Sequence, residues 1–408
     1  MRRDFFARVV FARVVILAVG LGLSVAALAG QRSFVASFGS DTYPCNLAQP
    51  CRSFNTAIAA TTPGGEVVIL DTAGYGPMTI DRSIKVIGPT GVYGGISVLG
   101  GPSNPTTGIT INAPGGTVIL RGLDISGVSG PAPLPNIGID IQNARYVHIE
   151  KSSISNFTQD TSACIRAVTP GTFFTIYLVD SFLRECRTGL AADGTLRRIN
   201  LQIDNTRFES GLNTVVPGNT AAIVAVGGGQ SVVRNSVARE FANGIIATNS
   251  SGFGAGILVT GSLIEDVATP IAIDASANSP SQITLERSEI VLAAAGPALT
   301  VNATTGGTAR LTILDSLVHR GGDPVIKTTG GGGSTLVVDV VRSTMQFIGR
   351  VLDHGYGAVS LNDNHIDVCS ESLVNSGSGN VVSRGNSFIS CDDLPGPIYI
   401  TPTLAPGK

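Results

Sequence analysis

Tryptophan is absent from this chain of 408 residues, and aromatic side chains make up only 5% of it. That scarcity excludes a core built on aromatic packing and leaves few rings to stack against a ligand. Charged side chains are also sparse at 14%, with a formal net charge of -2, so the chain lacks the basic footprint that nucleic acid requires. Four histidines and no Cys-x-x-Cys pair give little from which to assemble a zinc site, and no metal ligands are expected. Past the leader described next, no apolar run is long enough to span a bilayer.

The leader is "MRRDFFARVVFARVVILAVGLGLSVAALAG". Arg2, Arg3, Arg8 and Arg13 precede an apolar run from Val14 to Ala27, and Ala27-Leu28-Ala29 offers small residues to a signal peptidase. Residues 1–29 are read as an export signal, with a retained N-terminal anchor as the alternative. Cleavage after Ala29 leaves 379 residues with a formal charge of -5. Cys45, Cys51, Cys164, Cys186, Cys369 and Cys391 all lie beyond it, an even number expected to pair in an oxidising compartment. A secreted or periplasmic protein with no membrane span after cleavage is the expectation.

What is present is a repeat. "QITLERSEI" at 282–290 and "RLTILDSLV" at 310–318 share one pattern: apolar residues five before, three before and two after a serine. The same pattern surrounds Leu123, Ser152, Ser181, Thr206, Ser236, Ser262, Ser288, Ser316, Ser343, Asn364 and Asn386, at intervals of 21 to 30 residues. Ser231 and Ser383 break the rule at single places. Intervals of that size mark a solenoid, and apolar residues two apart mark strands rather than helices.

A second short apolar run, often opened by Gly or Pro, occurs in each unit, as in "GIDI" at 138 and "PIAI" at 270. Strands without helices bury their inner face only by stacking on neighbouring units. The expected fold is therefore all-β: a single-stranded, right-handed parallel β-helix of about 11–13 coils, with aliphatic columns inside and hand set by the crossover rule. The Gly-rich "TTGGGGST" at 328–335 reads as one corner loop, because the repeat passes through it without a break. Ser, Thr and Asn at the repeated position are expected to hydrogen-bond from coil to coil and fix the bend.

The open end of a solenoid needs cover. "PCRSFNTAIAA" offers Ser53 as an N-cap before Phe54, Ala57 and Ile58 at helical spacing. The expected division is a signal over 1–29, a cap with a short helix over 30–66, the β-helix over 67–392 and a proline-rich tail over 393–408. The stretch "SFGSDTYPCNLAQPCRSFNTAIAATTPGGEVVILDTAGYGPMTI" resembles the cap and first coil of bacterial secreted right-handed β-helix proteins of the pectin-lyase-like class. The specific part of the resemblance covers residues 33–98, and the other coils share only its period. In the repeat register Cys369 and Cys391 each fall five after an anchor and are expected to pair. Cys45 with Cys51 closes a small loop, and Cys164 with Cys186 follows by elimination.

The resemblance implies polysaccharide lyases and glycoside hydrolases, whose catalytic residues lie on the coils. Asp392-Asp393 is a lone acidic pair, His354-Gly355 lacks a leading glycine, and no N-x-D or R-x-K occurs, which departs from the polygalacturonase pattern. The residue before each anchor gives the column Lys151, Asp180, Asn205, Asn235, Gly261, Arg287, Asp315, Arg342 and Asp363. From Arg287 onward its signs alternate, which predicts cross-coil ion pairs. If the protein is a lyase, Arg342 supplies a base beside Asp315 and Asp363, with Ca²⁺ as the possible cofactor; otherwise none is expected. Arg287, His365 and Tyr356 are candidate binding residues, and "NDNHIDVC" at 362–369 is the densest polar cluster. His148 and His319 receive no role. Tyr43, Tyr75, Tyr93 and Tyr356 are the candidate surface stackers. With no complete acid–base set, the leading expectation is a non-catalytic exported β-helix presenting a recognition or attachment surface, with polysaccharide or a cell-envelope component as partner. The alternative is a polysaccharide lyase, or less so a glycoside hydrolase, acting on acidic glycans.

Overall fold

The computed structural model describes residues 30–390, save 105, 129, 169–172, 196–197, 212–219, 250–253, 277–278, 292–295, 305, 321–322, 348, 369–372 and 386. The chain winds as a parallel β-solenoid. A typical coil has three strands, such as Thr269–Ala275, Pro280–Glu286 and Glu289–Val291. Each pairs in parallel with its counterpart in the next coil: Leu299–Ala303, Thr308–Leu314 and Leu317–His319. Among the described residues the short third strands form a 13-stranded sheet of their own. Between the strands Ile326–Gly330 and Thr335–Val341 the glycine-rich segment is a corner, as its place in the repeat requires.

The repeat positions are the inner columns. Ile257, Ile283, Leu311, Val338 and Val359 stand in register, as do Val259, Leu285, Ile313, Val340 and Leu361, and every one is buried. A third column of Ile264, Ile290, Val318, Met345 and Ile366 follows the corner, also buried. Each aliphatic side chain so enclosed contributes roughly 1.5–3 kcal/mol, which is how a chain poor in aromatics sustains a core. Ser231 interrupts a column, but its hydroxyl accepts the Leu201 amide at 3.2 Å, so the buried oxygen is satisfied.

At the corners a ladder links successive anchors. The amide of Ser236 donates to the Ser262 hydroxyl, that of Ser262 to Ser288, that of Ser288 to Ser316 and that of Ser316 to Ser343, each at 3.2 Å. Ser343 donates to the Asn364 side-chain oxygen at 2.9 Å. The hydroxyl of each serine turns back to its own strand, as when Ser288 donates to the Glu286 carbonyl at 2.9 Å. The residue before each anchor adopts positive φ, from 46° at Asn205 and Arg287 to 67° at Gly122. Glycine fills this left-handed place only at Gly122, Gly261 and Gly385. Elsewhere Asn and Asp, which tolerate it, or Arg and Lys, which do so at a cost, take its position.

The one helix among the described residues, Phe54–Ala60, starts at Ser53, whose hydroxyl accepts the Thr56 amide, and buries Phe54, Ala57 and Ile58. The strand Gly30–Val35 precedes it and pairs with Thr61–Ile69. Cys45 is bridged to Cys51 and Cys164 to Cys186, with Cα separations of 4.7 and 5.7 Å. The expected Cys369–Cys391 pair and the 1–29 leader lie outside the described residues, as does the tail. No helix among the described residues is long and apolar enough to cross a membrane.

Candidate functional site

Because the left-handed residue tips its side chain off the strand, the corner column faces outward along one edge of the solenoid. There the surface forms an open groove of about 610 Å³ crossing successive corners between Asn235 and Thr344. Arg287, Asp315 and Arg342 line it from the column before the anchors, and Leu263, Glu289 and Leu317 from the column after. Three of the residues singled out from sequence thus share one groove. Asp363 continues the same column one rung beyond Arg342, with φ of 54°.

The alternating charges close as one strong pair rather than a continuous row. Arg342 donates from Nε and Nη2 to the two oxygens of Asp315 at 2.8 and 2.9 Å, a planar fork on a carboxylate. These hydrogen bonds, with the opposite charge behind them, hold the Asp315 carboxyl below the usual carboxylate range and push the Arg342 guanidinium above its already high value. The two side chains are thus engaged with each other across adjacent coils. Arg287 does not reach for Asp315: its Nη1 lies 2.9 Å from Glu286 of its own coil and its Nη2 donates to Thr260 at 3.3 Å. With Asp315 fully engaged by Arg342, and Arg342 standing between it and Asp363, the column does not fit a calcium ion. Among the described residues no cluster of His, Cys, Asp and Glu could hold a metal.

A second pair at the groove escaped the sequence reading. Glu289 lines the groove and its carboxylate accepts from His319 Nε2 at 2.8 Å, with both side chains partly exposed. A carboxylate on Nε2 fixes the orientation of the imidazole ring. The signal was present in the register, since Glu289 follows the Ser288 anchor by one and His319 follows Ser316 by three.

The other candidates scatter. His365 pairs in register with Thr344 and so extends the column after the anchors. Asp367 sits two along the same strand with buried Ile366 between them, whereas Asp363 belongs to the corner, so the polar cluster at 362–369 divides between two places. Tyr356 is not at the groove: it packs against the core and donates its hydroxyl to the Ser334 carbonyl at 3.0 Å. Tyr75, read as a surface stacker, is instead a core residue at 5% exposure, packed on Phe54 and hydrogen-bonded to Asp71. Burial raises its hydroxyl pKa, with Asp71 adding to the effect. Tyr43 and Tyr93 are exposed as expected.

No family model matches the chain. No curated protein matches it. Among solved structures it is similar to the GH136 lacto-N-biosidase from Eubacterium ramulus, with a TM-score of 0.53 and 11% identity over 88% of this chain and 68% of that one. It is also similar to the catalytic unit of a GH87 alpha-1,3-glucanase from Streptomyces thermodiastaticus, at a TM-score of 0.49 and 15% identity over 83% and 66% of the two chains. A pectate lyase aligns at a TM-score of 0.37 and 13% identity, over 87% and 79%. The likeness is one of fold: a parallel β-solenoid of the kind that the first coil's resemblance to the pectin-lyase-like class implied.

Proposed function

We propose that this protein is an exported β-helix that acts on acidic polysaccharide held along the corner groove, cleaving it in the manner of a lyase. The observation that carries the reading is the presence, along one groove, of two arginines in left-handed conformation and of Glu289, whose carboxylate holds the neighbouring His319. Arginine is a costly residue at positive φ, and backbone strain gathers where function retains it. An arginine at the groove neutralises a uronate carboxylate and so favours loss of the proton beside it. His319 accepts that proton, the bond to the glycosidic oxygen breaks as a carbon–carbon double bond forms, and the departing oxygen takes a proton from water. The base is thus His319 and not Arg342, whose proton Asp315 secures. The enzymes that share the fold act on glycans, which supports the same direction.

The remaining parts of the reading are the 1–29 export signal, a right-handed coil, the Phe54–Ala60 helix as cover for the first coil within a 30–66 cap, the β-helix proper over 67–392 and the 393–408 tail. A second reading, a non-catalytic attachment surface, is favoured by the locked Arg342–Asp315 fork. Mature protein incubated with polygalacturonate and with hyaluronan, with and without Ca²⁺, separates the two. Cleavage gives a rise in ultraviolet absorbance from the unsaturated product, lost in His319→Gln and reduced in Arg342→Ala. Binding with no absorbance change in any condition supports attachment and removes the lyase reading.

A further inference from the structure

Of the large apolar side chains that stand exposed among the described residues, six gather at one end of the solenoid: Phe38, Tyr43, Leu47, Tyr93, Leu99 and Val128, at 39% to 69% exposure. The register puts them on one face. The cap loop that carries the first three is tied to the first coil, the Ser37 amide donating to Asp71 at 2.8 Å and Arg52 Nη2 to the Gly74 carbonyl at 3.0 Å. The strand Ala73–Gly74 at that place pairs with Gly94–Leu99, and Gly94–Leu99 pairs with Leu123–Val128. On Gly94–Leu99 the buried Ile96 and Val98 turn inward, so Leu99 turns outward, and Val128 stands beside it one rung on. The corners that follow lock together where the Gly101 amide donates to the Pro133 carbonyl at 2.9 Å, leaving Pro131, Ala132 and Pro133 exposed.

This end is nearly free of charge. Residues 86–139 contain two charged side chains, Arg121, forked onto Glu150 at 2.8 and 2.6 Å, and Asp124, 3.4 Å from the Tyr93 hydroxyl. In the cap loop Asp41 accepts the amides of Arg52 and Ser53 at 2.9 and 2.8 Å. Further along the same sheet the outward places change to Arg184, Arg207, Glu209, Arg239 and Glu265. An apolar patch that stops where the charges begin marks an interaction surface, and its shape selects the partner. Phe38 sits in the turn closed by the Gly39 amide on the Ala36 carbonyl at 3.0 Å, and Leu47 in the turn where the Gln49 amide donates to the Asn46 side chain at 2.8 Å. The Cys45–Cys51 bridge holds the loop between them. Two pinned, convex tips offer no hollow for a protein's side chains, whereas a bilayer accepts separate projecting ones and suits tyrosine at its polar boundary. The chain points the same way: the apolar run Val14–Ala27 ends two residues short of the strand Gly30–Val35, so the leader joins the molecule at this end.

We infer that this end of the solenoid is a foot that docks on a phospholipid surface by inserting Phe38, Leu47, Leu99 and Val128, with Tyr43 and Tyr93 at the headgroup boundary. Headgroup charge takes no part, because the inserted side chains carry none to match and the chain beyond residue 29 is formally acidic. The foot is separate from the groove and does not depend on it. The coil of Asn235 lies four rungs beyond that of Val128, about 19 Å at strand spacing, so a docked molecule keeps the groove in water.

The absence of tryptophan gives the test a clean reporter. Mature protein carrying Phe38→Trp is mixed with phosphatidylcholine vesicles in low and in high salt. The expected result is emission that moves to shorter wavelength and is quenched by bromine on the acyl chains, equally in both salts. Gln282→Trp, at an exposed place beyond the foot, should not respond. In the tryptophan-free background, Phe38→Ser with Leu47→Ser should lower co-sedimentation with the vesicles roughly tenfold or more, and unfolding should not change because both side chains already face water. If that double variant does unfold earlier, the tryptophan reporter decides alone. Partition lost in high salt assigns binding to charge and overturns the foot, as does a double variant that partitions like wild type. A shift of the Phe38→Trp emission with protein concentration before vesicles are added means that a second copy covers the face and overturns the lipid surface as partner, and so does the lack of any response to vesicles.

Discussion

Replacing Ser288 by alanine cuts the corner ladder at its middle. The side chain is 4% exposed, accepts the Ser262 amide at 3.2 Å and donates to the Glu286 carbonyl at 2.9 Å. Alanine removes acceptor and donor together and leaves an enclosed backbone N–H without its partner. A neutral hydrogen bond is worth about 1 kcal/mol and an orphaned buried donor costs about 1–3 kcal/mol, so a loss of roughly 2–3 kcal/mol follows. Asparagine provides the control, because Asn364 fills a 2%-exposed anchor: its oxygen accepts the Ser343 amide at 2.9 Å, as Ser288 accepts that of Ser262, and its nitrogen donates to the Val340 carbonyl of the preceding coil at 3.0 Å. Denaturant unfolding of Ser288→Ala and Ser288→Asn should therefore show a lowered midpoint for the first and a largely restored one for the second. Since a solenoid opens locally, hydrogen exchange at the Ser262 amide gives the sharper reading and should accelerate in the alanine variant. An alanine variant matching wild type by both measures, or an asparagine variant as weak as alanine, refutes the ladder as a source of stability.

Three further outcomes are expected. His354 is buried, its Nδ1 hydrogen-bonded to Thr328 at 3.1 Å and its Nε2 without a partner among the described residues, and burial lowers its pKa from the ordinary 6.5. The unfolded chain binds this proton more readily than the folded one, so stability is complete above about pH 6.5 and declines as pH falls below it; His354→Leu should flatten that decline in thermal melts from pH 7 to pH 5, and an unaltered slope would count against it. Arg287→Gly places the residue best suited to positive φ at a strained corner, so unfolding should occur at the same or a higher temperature while glycan affinity falls; a loss of both would show that the arginine is structural. Removing the Cys164–Cys186 bridge, which ties the strand Ala163–Val168 to the strand Phe182–Cys186 at a sequence separation of 22, by double alanine substitution should cost about 2–4 kcal/mol, read as a lower denaturant midpoint.

The inner half of this fold was legible because its code is local and repeated. A two-residue alternation fixes which side chains turn inward, and the interval between anchors fixes which coil meets which, so Ile283 over Ile257 and Leu285 over Val259 follow from counting. The same counting places Tyr177 over His148, 29 residues apart like their anchors Ser152 and Ser181, yet that column was missed because aromatics were weighed by number and not by register. Tyr75 failed for another reason: it lies outside the repeat, where no periodicity tells inside from outside. The column before the anchors pairs across coils at Arg342 and Asp315 as its alternating signs implied, but Arg287 does not join it. Arg287 satisfies itself within its own coil through Glu286, a choice of rotamer between near-equal surface partners that sequence does not encode.

The anchor ladder also has a direction. Each hydroxyl serves the amide of the coil before it, so a coil's corner is finished only when its successor has been laid down. Shortening such a chain from its two sides is therefore unequal. Trimming from the front strips a hydroxyl of an incoming donor, which water readily replaces, whereas trimming from the back bares an amide whose acceptor left with the missing rung.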